Sequence, residues 1–198
     1  MTKKIFSENP SLDNNAFLNW RFTEEDDIEN FISMSNSFFD SSIFLLKLCL
    51  KDNIDSKADG LIFPILYNLN HAIELKLKAL IRILNQSIGV NNIPKNTHNI
   101  KQLYHNSFEL IKTTNFNISI KSFKENTKIL YNYINEISEN EMISFTRYPL
   151  SNKAEKAHYI ISKQNITIDI KQLHEIATKI KDELNNFVDY NLFIQLTI

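Results

Sequence analysis

Between Leu61 and Leu84 the chain reads LIFPILYNLNHAIELKLKALIRIL, too long for a strand and broken by polar residues at helical intervals. At about 100° per residue, His71, Glu74, Lys78, Arg82 and Asn85 fall within about 80° of one another. Apolar side chains cover most of the remaining circumference, and only Asn68, Asn70 and Lys76 lie outside this stripe. A helix that apolar has to be mostly buried, and charges on a buried helix cost several kcal/mol unless they are paired. Two readings of the stripe follow. Glu74 and Lys78 form a favourable i,i+4 pair, so the stripe closes on itself. Alternatively it lines a cleft that receives a ligand or a partner.

The rest of the composition points the same way. Only two glycines and four prolines occur in 198 residues, so tight hairpins are scarce and long helices are expected. With 43% hydrophobic residues a single domain of this length buries a core without staples. The net charge is −1, which provides no global basic field for nucleic acid. A local basic groove, completed by a second subunit, stays open. The lone Cys49 sits at an inward helical position and has no internal partner, so a reducing, cytoplasmic setting is expected. The N-terminus lacks the apolar core of a signal peptide, and the run Leu61–Tyr67 is far too short to span a membrane.

Residues 1–22 read as an N-terminal extension anchored by Phe17 and Trp20. Helix one is expected to start at Thr23 as its cap, with Ile28, Phe31, Ile32, Phe38, Phe39, Leu45, Leu46 and Cys49 facing inward. Helix two follows from about Leu61 to Leu84, with Pro64 in its first turn. Thr97 is expected to cap a short helix over HNIKQLYHNSFELIK, and a fourth helix occupies roughly 118–137. Residues 142–168 lack a helical period and read as a long irregular insert or a short hairpin. Asp169 or Thr167 caps the last helix, and 191–198 form a tail. The predicted fold is all-α: an up-and-down bundle of four long helices plus one short helix, with an irregular insert before the last helix. Helix two is too apolar for a thin monomeric bundle to cover, so a homodimer is expected.

Familiar catalytic and cofactor signatures are absent. No phosphate-cradling glycine loop, CxxC pair, HExxH or GxSxG occurs, and five scattered histidines with one cysteine make no zinc set. No cofactor and no metal are expected. Three elements nevertheless carry a resemblance. NLNHAIELKLKALIRIL looks like the second helix of the HEPN superfamily, where a His-Ala-Ile-Glu-like core is followed by a Lys on the same helix. THNIKQLY, Thr97–Tyr104, is similar to the Gly-His-Asp-Leu turn that follows in such proteins, and FTRYP, Phe145–Pro149, resembles an Arg-Tyr-Pro element of several bacterial branches. The resemblance covers about residues 23–190, in the expected order.

The resemblance implies a helical dimer directed at RNA or nucleotides, in a bacterial defence or toxin–antitoxin system with an antitoxin or defence-complex partner. Many HEPN proteins are metal-independent endoribonucleases whose signature is an Arg followed by a His after four to six residues. This chain departs from that signature: the nearest following case is Arg147 to His158. The alternative is a non-catalytic binding or assembly module, or a helical scaffold whose stripe is internal pairing.

The candidate catalytic residues are Arg147 and His98; the candidate binding residues are His71, Glu74, Lys78, Arg82 and Tyr148. His98 either packs against helix two at a helix start or acts as general acid or base. Arg147 either pairs structurally with Glu74 or recognises phosphate through its planar fork. His105, His158 and His174 read as ordinary surface or core residues.

Overall fold

In α1 (Asp27–Lys51) the buried positions are Ile28, Ile32, Ser35, Phe39, Ser42, Leu46 and Cys49, alternately four and three residues apart. That spacing is the seam of a helix pair. The computed structural model describes residues 5–18, 20–90, 97–113, 119–139 and 165–197. Its partner on the seam is α2 (Lys57–Ser87), running antiparallel. Ser35 Oγ donates to the Ala72 carbonyl at 2.8 Å and Ser42 Oγ to the Ile65 carbonyl at 3.0 Å. Seven residues up α1 thus match seven residues down α2. Both serines are fully buried, and their small side chains let the two backbones approach. Sequence reading places only the apolar members of this seam.

The starts of the first two long helices differ from expectation. Asp26, not Thr23, caps α1: its carboxylate accepts the Ile28 and Glu29 N–H groups, and negative charge suits a helix start. Thr23 is held instead by reciprocal bonds with the Asn30 amide. The polar connection is also shorter than expected, because Asn53 Oδ1 accepts the Ala58 N–H and starts α2 at Lys57. Pro64 therefore lies beyond the first turn, where it removes the donor that would reach the Gly60 carbonyl. Reaching this early start takes two consecutive left-handed residues, Asp55 (φ 55°) and Ser56 (φ 53°).

After α2 come α3 (Ile100–Thr113), α4 (Ile120–Asn126), α5 (Lys128–Glu139) and α6 (Ile170–Thr197). The expected fourth long helix is in fact two. Thr127 ends α4, its hydroxyl bonded to the Phe123 carbonyl at 2.7 Å and to the Tyr104 hydroxyl at 2.9 Å. The Glu183 carboxylate of α6 then accepts the Ile129 and Leu130 N–H groups at 3.1 and 3.0 Å, which supplies a helix start from another element. Asp169, rather than Thr167, caps α6 through the Gln172 N–H. α6 continues through the segment expected as a tail, since no Gly or Pro interrupts 170–197.

The bundle is arranged around α2, which packs against α1, α3 and α6, while α5 closes on α3 and α6. Tyr104, Phe123 and Phe187 join α3, α4 and α6 through ring contacts at 5.3 and 5.1 Å. Among the described residues every regular element is helical, as the all-α reading expects. The insert expected over 142–168 falls mainly outside them. Phe17 and Trp20 do not anchor the extension: they stay 54% and 79% exposed and meet each other at 6.1 Å. Local bonds between Asn9, Ser11 and Asn15 fold that segment on itself instead. Among the described residues no helix is long and apolar enough to cross a membrane.

Candidate functional site

From Glu74 to Asn85 the polar stripe of α2 is buried with the helix around it, His71 is half-buried, and the centre of the stripe is Glu74, only 2% exposed. Among the described residues three groups surround this carboxylate. Lys78, one turn along α2, donates to Oε1 at 2.8 Å. His98 approaches from the segment ahead of α3, with Nδ1 at 3.0 Å from Oε1 and 3.2 Å from Oε2. His71, one turn back, places Nδ1 at 3.8 Å from Oε2. That separation is longer than a hydrogen bond, and the buried His71 Nδ1 has no hydrogen-bond partner among the described residues.

Local chemistry explains how His98 reaches α2. Asn99 Oδ1 accepts the Gln102 N–H at 3.0 Å, so Asn99 caps α3 in place of the expected Thr97. Thr97 Oγ1 in turn accepts the Asn99 N–H at 3.2 Å. These bonds pin the segment on both sides of His98. The His71 ring is likewise held, edge-on to Phe38 at 4.5 Å and stacked near Tyr67 at 5.9 Å.

Burial alone would raise the Glu74 carboxyl above its ordinary value. The neighbouring His71, the bond and charge of Lys78, and the bond of His98 outweigh it and hold the group down at about 2. Of these, the two short bonds stabilise the carboxylate more directly than His71 at 3.8 Å. An ionised carboxylate can only accept, so the bonded nitrogen of His98 must carry the proton. In the neutral ring Nε2 is then the free acceptor, on a side chain that is 57% exposed. A buried acceptor fixing one nitrogen of an exposed imidazole is an arrangement suited to proton transfer.

Other members of the stripe are directed elsewhere. Arg82 reaches Asp27 in the first turn of α1 at 3.5 Å. Asn85 holds the end of α2 through its backbone carbonyl, which accepts the Ile88 and Val90 N–H groups. Outside the stripe, the fully buried Lys76 donates to Asn36 at 3.0 Å and Asn70 accepts from the Tyr133 hydroxyl at 2.8 Å. Burial pushes the Tyr133 phenol up, so it remains a donor. These partners escaped sequence reading because they lie on α1 and α5, far along the chain. Arg147 and Tyr148, the other two candidates, lie outside the described residues, as does His158. Among the described residues no three His, Cys, Asp or Glu side chains are grouped to hold a metal ion. Comparison with protein-family models, with curated proteins and with solved structures finds no match to this chain.

Proposed function

We propose that the chain is a HEPN-like protein directed at RNA or nucleotides, acting in a bacterial defence or toxin–antitoxin system. The observation that supports a catalytic form of this reading is the bond from His98 Nδ1 to the buried, ionised Glu74. In that form His98 Nε2 takes the proton of a ribose 2′-hydroxyl. The O2′–P bond forms as the P–O5′ bond breaks, leaving a 2′,3′-cyclic phosphate, and a proton from water completes the 5′-hydroxyl end. Glu74 is the positioning residue, and Arg147 is the candidate for stabilising the phosphate charge through its planar guanidinium. The reading includes a cytoplasmic homodimer, in keeping with the single cysteine and the apolar α2.

The second reading is a non-catalytic module that binds a nucleotide or a partner protein in the cleft along α2. The missing Arg-to-His spacing favours it. Incubation with transfer RNA or single-stranded RNA in EDTA separates the two. Cleavage with cyclic phosphate ends, slowed about 10²–10⁴-fold in His98→Gln, supports the enzyme. Intact RNA, together with nucleotide binding that is lost in Arg147→Ala, supports the module.

A further inference from the structure

Along α3 the exposed residues Lys101, His105 and Lys112 follow one another at intervals of four and seven, with half-buried Phe108 between the last two. At about 100° per residue the four side chains fall within about 60° of one another, on one side of the helix. Lys112 Nζ lies 4.4 Å from the Phe108 ring centroid, and Lys124 Nζ, from α4, lies 5.2 Å from the same centroid. Both distances are within the cation–π range, so one ring gathers ammonium groups from two helices. Like charges held near one another repel, and an anion bound between them removes the repulsion. Lys112 also meets Glu109 at 2.6 Å, whereas Lys124 has no ion pair among the described residues. In a chain of net charge −1, α3 and α4 together carry four lysines against two glutamates.

This line of charge leads toward His98, which precedes the start of α3. The 14 residues of α3 span about 21 Å at about 1.5 Å per residue, a reach of a few nucleotides. We infer that the exposed face of α3 and α4 is the track for the phosphate backbone of a single-stranded RNA, presenting a ribose to His98. The inference rests on the RNA-directed reading above. A single strand fits because in-line attack by a 2′-hydroxyl needs a backbone free to leave A-form geometry. Phe108 holds the ammonium groups of Lys112 and Lys124 in place, which lowers the ordering cost of binding.

The test is fluorescence anisotropy of a labelled short oligouridylate on the full chain, across a salt series. Three phosphate contacts from Lys101, Lys112 and Lys124 give a log–log salt slope of about −2, or an affinity loss of about 20-fold between 50 and 200 mM salt. Lys112→Gln/Lys124→Gln should flatten this to a loss of about threefold while leaving the thermal melt unchanged, and Lys47→Gln on α1 should retain the full slope. A double variant with the wild-type slope overturns the track. If that same protein still cleaves RNA in a His98-dependent manner, the RNA-directed reading survives without the track. Wild type that binds no RNA overturns both.

Discussion

Glu74→Gln keeps the shape of the side chain and removes its charge, which leaves the Lys78 ammonium, itself 10% exposed, beside a neutral amide. Two routes give the cost. Moving the carboxyl from its ordinary 4.5 to about 2 corresponds to about 3 kcal/mol of native-state stabilisation at neutral pH. Breaking a buried pair by removing one partner costs about 3–5 kcal/mol. Because the side chain is only 2% exposed, solvent screening does not reduce these figures much. The folded value lies below the unfolded one, so the contribution is complete above about pH 5 and disappears as the pH falls toward 2. Urea unfolding at neutral pH should therefore show Glu74→Gln less stable by about 3 kcal/mol, with the difference shrinking as acid is added. A loss under about 1 kcal/mol at neutral pH, or a difference that does not shrink in acid, would refute a buried, paired carboxylate.

Three further outcomes follow from the packing and the proposed assembly. Ser35→Leu should destabilise by at least about 1–3 kcal/mol, because the seam brings α1 and α2 too close for a larger side chain, whereas Ser35→Ala should cost about 1 kcal/mol; equal costs in denaturant titrations would show slack at that position. Glu183→Ala should cost about 1–2 kcal/mol and speed amide exchange at Ile129 and Leu130 ahead of the rest of the core; unchanged exchange would mean that α5 starts without help from α6. Light scattering at micromolar concentration should give twice 23.2 kDa, and a monomer mass would remove the proposed dimer.

Much of the architecture was legible because one period dominates the chain. Leu61–Leu84 could only be a mostly buried helix, and the pair Glu74 and Lys78 follows from their spacing alone. What sequence could not supply were the polar groups acting across long separations. Ser35 and Ser42 occupy a core seam although serine carries no apolar signal, and Glu183 starts a helix more than fifty residues before it. Asn53 lengthened α2 by capping it from inside a loop, which displaced Pro64 from the first turn. At the candidate site, His98 and Glu74 were each legible as chemistry-bearing residues. Their bond was not, since it depends on the way Thr97 and Asn99 turn the chain ahead of α3. Arg147 and Tyr148 rest on the sequence resemblance alone.

The bond to Glu74 holds the neutral His98 ring with its proton on Nδ1, so that Nε2 is the free base. Long-range proton–nitrogen NMR of the uncharged His98 ring reads this directly, with ¹⁵N-labelled protein and His98→Gln for assignment. Wild type should show the proton on Nδ1, and Glu74→Gln should shift His98 toward the mixed tautomers of a free imidazole. A proton on Nε2 in wild type, or a tautomer balance indifferent to Glu74→Gln, would contradict the account.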